Sequence, residues 1–155
     1  MLIGSYSPIE LNPQTITNRF VQAEVSTSLK AVGVASPAAL LATWVTGREG
    51  LERYAANVRP VTDDYPRIEY VPWVHPKEIT VAPPELLALR TDPPLVNGDD
   101  ALRGEIALQR QSLLDFYSAG IAGYNGDREA WAAAMRRVTA ADSVNPYHEW
   151  ISGDR

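Results

Sequence analysis

The chain has 155 residues, 45% hydrophobic and 21% charged, with 12 Pro, 10 Gly and no Cys. That length can bury a core in one ordinary domain or two small ones, and the aliphatic content excludes a disordered tail. The missing cysteines exclude disulfide staples, zinc–thiolate sites, iron–sulfur clusters and cysteine nucleophiles, and a formal charge of −5 argues against a nucleic acid partner.

The chain opens on a short apolar run, Met1-Leu2-Ile3, closed by Gly4 and Ser5; with Pro8 so near it reads as a strand. From Thr15 to Val32 the apolar residues Ile16, Phe20, Val25, Leu29 and Val32 recur at steps of three to five, which predicts one loosely amphipathic helix ended by Gly33. Ser36-Pro37 starts the next helix, because Ser is a good N-cap and Pro is tolerated at the first helical position. Leu40, Leu41, Trp44 and Val45 supply its buried face. A short helix carrying Leu51 and Tyr54 follows the breaks at Gly47 and Gly50.

Eight of the 12 prolines fall between Pro60 and Pro94, so residues 61–97 read as an extended connector. Beyond it, Asn97-Gly98-Asp99-Asp100 caps a long helix with the stripe Leu102, Ile106, Leu113, Phe116, Tyr117 and Ile121. Asp99 and Asp100 are helix-start residues, favoured there by capping and the helix dipole. Asn125-Gly126-Asp127 is a turn, with Asp127 as the next N-cap. The last helix turns Trp131, Ala134, Met135 and Val138 one way and Arg128, Arg136 and Arg137 another, until Asn145-Pro146 stops it. The pair forms an αα-hairpin. Tyr117, Ala119-Gly120, Tyr124, Ala133, Ala140 and Pro146 approach the tetratricopeptide pattern, with Ile121 and Arg137 at poor positions for it.

The longest apolar stretch, Ala31 to Val45, spans 15 residues and is interrupted by Gly33, Ser36 and Pro37, short of the roughly 20 a membrane span needs. The N-terminus lacks a basic region and a small-residue cleavage site. These features predict no membrane span, no signal peptide and a cytoplasmic location.

The most distinctive stretch is Thr62-Asp63-Asp64-Tyr65-Pro66-Arg67-Ile68-Glu69-Tyr70. Thr62 and Asp63 suit a turn, Pro66 drives Tyr65 out of the helical region, and Arg67 to Val71 alternates like a strand. This run resembles the threonine–aspartate–aspartate–x–proline–x–x–glutamate–aromatic signature near the end of spermidine synthase-like proteins, in particular the large bacterial type with membrane segments fused ahead of the synthase-like domain. Leu2-Ile3-Gly4-Ser5 with Pro8 is similar to the last strand of that domain, and Ala35 to Val45 is similar to the stretch leading to the signature. Residues 1–75 fall within the resemblance.

The resemblance implies a Rossmann-like sheet, decarboxylated S-adenosylmethionine as cofactor and transfer of its aminopropyl group to putrescine. It also implies membrane anchoring for the parent protein. The chain departs from the pattern in lacking Gly-x-Gly, the core of the family's cofactor loop; Gly120, Gly123 and Gly126 are spaced otherwise. The acidic residue for the cofactor ribose and the strand-end aspartate for the amine have no counterparts here and would lie upstream of Met1. No cofactor is therefore expected on this chain itself.

Asp63 and Asp64 are the candidate substrate-proximal residues, since a cationic amine favours paired anions in a partly dry pocket. Neighbours on an extended chain point to opposite faces, so the ordinary alternative is an Asx turn with one carboxylate on backbone amides and the other paired with Arg67. Thr62, Pro66, Arg67, Glu69 and Tyr70 are signature residues of structural weight; Arg67 and Glu69 share one strand face as an ordinary ion pair. His75 and His148 lack a second nearby ligand and read as surface or packing histidines, so no metal site is expected. Trp73 in its proline-rich setting, Trp131 and Trp150 are candidate docking residues, with core packing the ordinary reading of the tryptophans. Neither Gly-x-Ser-x-Gly nor a phosphate loop occurs.

The expected architecture is α/β and mostly helical: the last strands of a Rossmann-like, S-adenosylmethionine-dependent methyltransferase-like sheet followed by a C-terminal helical hairpin. Residues 1–75 read as the end of the catalytic domain, 76–97 as a Pro-rich connector and 98–155 as a helical, tetratricopeptide-like extension. A three-residue strand and one further strand make a thin sheet with an exposed edge. The remainder of the catalytic domain, or another copy, is the partner expected to complete it, with a protein partner possible on the C-terminal helices. The expected function is the closing part of a spermidine synthase-like transferase, inactive alone; the alternative is a non-catalytic helical interaction module.

Overall fold

Short polar side chains set where four of the described helices begin. The computed structural model describes residues 5, 7–57, 76–143, 145 and 148. Among them lie α1 (Pro13–Phe20), α2 (Ala23–Ala31), α3 (Pro37–Ala42), α4 (Arg48–Ala55), α5 (Pro76–Ala88), α6 (Asp100–Tyr124) and α7 (Arg128–Ala141). Asn12 Oδ1 accepts the Thr15 N–H at 3.2 Å to open α1, and Ser36 Oγ accepts from Ala39 at 3.0 Å to open α3. Asp99 accepts from Leu102 at 2.7 Å at the start of α6, and Asp127 from Ala130 at 2.9 Å at the start of α7. Each such cap satisfies an orphan donor and contributes about 1 kcal/mol.

The chain forms two compact units, Met1–Trp44 with Pro93–Arg155, and Val45–Asp92. In the first, α3 packs on α6 and α6 on α7. Ala38, Leu41 and Ala42 of α3 are buried against Ile106 of α6, with Leu11, Ile16, Leu95 and Leu102 around them. The alanines four apart on α3 leave no bulk between the helix backbones, so α3 can approach α6 closely. A second cluster, Ala119 of α6 with Ala134 and Met135 of α7, is flanked by Phe116 and Trp131. Val138 is completely buried.

An isolated parallel bridge between Leu11 and Leu95 ties the entrances of α1 and α6 together: Leu11 N–H donates to Pro94 at 2.8 Å and Val96 N–H to Leu11 at 2.9 Å. Among the described residues there is no sheet; the runs 1–3 and 67–71, read from sequence as strands, lie outside them.

In the second unit α4 and α5 are joined to a return segment whose Thr91 N–H donates to the Val45 carbonyl at 2.8 Å. Thr46 and Gly50 are buried there.

Two sequence expectations are corrected. The single helix over Thr15–Val32 is two helices, because Gln22 is extended (φ −65°, ψ 128°) between α1 and α2. The five-residue step from Phe20 to Val25 carries the apolar stripe about 140° around a helix, so one straight helix could not bury both. The extended reading of 61–97 gives way over 76–88 to α5, which contains Pro83 and Pro84. Their fixed φ is compatible with a helix although each removes one N–H, and Glu85-Leu86-Leu87-Ala88 beyond them are strong helix formers.

Candidate functional site

Thr62, Asp63, Asp64, Pro66, Arg67, Glu69, Tyr70, Trp73 and Trp150 lie outside the described residues. Of the residues singled out as docking candidates, Trp131 is described. It sits half-buried on the first turn of α7 against the Ala119–Ala134–Met135 cluster, and a Cβ at Gly123 would meet its Cδ1 at 3.3 Å. The indole thus spends much of its surface inside the hairpin.

The concavity of the first unit lies where α2 ends, α3 and α6 pass, and the chain turns away from α7. Its volume is about 180 Å³. Ala39 and Ala42 of α3 with Leu113 and Phe116 of α6 make the apolar floor, and Val32–Val34 make one wall. The chain runs this way because Gly33, at φ +82°, closes α2 in a Schellman motif: Val34 N–H donates to Leu29 at 2.9 Å and Gly33 N–H to Lys30 at 3.0 Å.

The opposite wall is polar. Asn145, 8% exposed, donates from Nδ2 to the Gly33 carbonyl at 3.1 Å and to Asp142 Oδ2 at 3.1 Å. His148 places Nδ1 3.3 Å from the Asp142 carbonyl, which requires the proton on that nitrogen, and its ring lies 5.6 Å from that of Phe116. His148 is therefore a packing histidine on the cavity wall. Among the described residues no three His, Asp or Glu side chains gather as a metal site.

The second unit holds a displaced titration. On the exposed α4, Glu52 accepts from Arg48 Nε at 2.7 Å, and that hydrogen bond, with the attraction between the charges, raises the guanidinium above its ordinary value.

The sequence offered no signal for Asn145 as a wall residue. Asn145-Pro146 reads as a helix stop, and the partner it meets at Gly33 is 112 positions away. No helix among the described residues is long and apolar enough to cross a membrane. No family model, curated protein or solved structure matches the chain.

Proposed function

We propose that this chain is the closing part of a spermidine synthase-like protein whose whole passes an aminopropyl group from decarboxylated S-adenosylmethionine to putrescine, and that the 155 residues alone are inactive. The observation that carries the reading is the run Thr62-Asp63-Asp64-Tyr65-Pro66-Arg67-Ile68-Glu69-Tyr70, preceded by the helix lead-in Ala35 to Val45. In this reading the runs 1–3 and 67–71 belong to the last strands of a Rossmann-like sheet that the rest of the catalytic domain, or another copy, completes.

The described cavity does not fit the cofactor. About 180 Å³ is below the roughly 300–1,000 Å³ of pockets that take drug-sized ligands.

A thermal melt of the purified chain with and without methylthioadenosine, the nucleoside product of aminopropyl transfer, tests this. A ligand at 100 times its Kd adds about 2.7 kcal/mol, a rise of about 5–10 °C for a chain this size. An unshifted Tm is expected; a rise of that size would overturn the inactivity. Asp63→Asn with Asp64→Asn in the complete enzyme should raise the apparent KM for the amine, and an unchanged KM would make both turn residues.

A helical interaction module is the second reading. It is favoured by Tyr117 and Tyr124, seven positions apart on one face of α6, which remain 38% and 49% exposed. It predicts a sharp, ligand-independent melt of the isolated chain.

A further inference from the structure

α2 is the one helix of the first unit that buries no residue among those described. Its principal helix partner is α1, and Val32 just past its end is 59% exposed. Chain breaks bound it on both sides: the extended Gln22 before it, and Gly33 at φ +82° after it. An element with so little buried apolar surface belongs to the low end of local stability. Yet its closing turn makes a wall of the cavity, and a buried amide holds that turn: Asn145 Nδ2 on the Gly33 carbonyl, itself oriented by Asp142 Oδ2.

The geometry points to a latched flap: α2 with its turn, Ala23 to Val34, opens and closes beside the cavity, and Asn145 is the latch. Opening swings Val32–Val34 away and bares the floor of Ala39, Ala42, Leu113 and Phe116. Closing restores the bond from the buried Asn145 amide to the Gly33 carbonyl, so the closed state leaves neither group unmet. The extended Gln22 before α2 is placed to absorb the backbone change.

Hydrogen exchange by mass spectrometry on the full chain tests this. Amides of 23–34 should exchange through an opening with weak denaturant dependence, while those of α7 exchange through global unfolding. Asn145→Ala should speed exchange of 23–34 about tenfold, equivalent to about 1.4 kcal/mol, beyond any change in α7. Equal acceleration in both segments would make Asn145 an ordinary stabilising residue and overturn the latch. Should Asn145→Ala not fold, the unmodified chain still decides: the same denaturant dependence for 23–34 as for α7 means no separate opening exists, and overturns the flap.

Discussion

Arg137 of α7 reaches across the hairpin to Asp115 of α6, with Nε 2.7 Å from Oδ1. The guanidinium also donates to the Ala133 carbonyl from Nη1 at 3.2 Å, so it is held from its own helix as it bonds the other. The Asp115 side chain is 15% exposed and that of Arg137 56% exposed. The pair is thus asymmetric: solvent screens the cation, while the carboxylate depends on its partners. Arg137→Ala should cost about 1 kcal/mol after that screening is allowed for, lowering Tm by about 2–4 °C. A double-mutant cycle with Asp115→Asn should return a coupling of about 0.5–1 kcal/mol. Strict additivity would reduce the contact to a surface coincidence.

Gly50 stands on the first turn of α4 directly against Thr46. A Cβ there would run into Thr46 Oγ1 and lie 3.0 Å from its Cβ. Gly→Ala within a helix ordinarily stabilises by about 0.5–1 kcal/mol. Here the sign should reverse, with Gly50→Ala costing about 1–3 kcal/mol by overpacking. Adding Thr46→Ala should recover most of the loss. Thr46→Val should by itself be neutral or stabilising, because Oγ1 is buried with no hydrogen-bond partner among the described residues. Denaturant melts of the three variants check the set; a Gly50→Ala protein as stable as the parent would show that Thr46 gives way freely.

The N-caps make a sharper local test. Asp99 and Asp127 each hold one backbone amide, at 2.7 and 2.9 Å. Each stands at a helix N-terminus where a negative charge is favoured. Asp99→Ala and Asp127→Ala should each cost about 1 kcal/mol, with the Asn variants retaining most of the stability because the acceptor oxygen survives. Equal losses for Ala and Asn would mean that the charge, and not the hydrogen bond, does the capping.

These caps are also the part of the fold most legible in sequence, because a cap needs only residues three apart. Asp99, Asp127 and Ser36-Pro37 act where the pattern puts them, and the Trp131, Ala134, Met135, Val138 stripe faces the hairpin. What the sequence hides is long-range. Arg137 reads as an outward charge beside Arg136, yet its long stem lets it cross to Asp115. The pairing of Asn145 with Gly33 follows from the packing of three helices, which no local pattern encodes. α5 is obscured in sequence for a different reason: its prolines read as breakers, although their φ suits a helix and the residues after Pro84 favour one. The candidate site divides the same way. The motif at Thr62–Tyr70 is legible as a resemblance, whereas the cavity is assembled from four separated segments, and only folding brings them together.

Trp131 distinguishes a core residue from a docking residue. Its ring lies over Gly123 and against the Ala119–Ala134–Met135 cluster, so much of its apolar surface is already covered within the hairpin. Trp131→Ala should therefore cost about 2–4 kcal/mol, less than the largest losses for fully buried tryptophans because part of the ring is in solvent. The corresponding fall in Tm is about 4–16 °C. Trp131→Phe should retain most of the stability by keeping an aromatic ring on the cluster. Gly123→Ala should stay within about 0.5 kcal/mol of the parent, since the gain in helix propensity offsets a contact that the indole edge relieves by a small shift. If Trp131→Ala instead left Tm unchanged, the indole would contribute nothing to the hairpin, and its exposed edge would have to be explained by a bound partner.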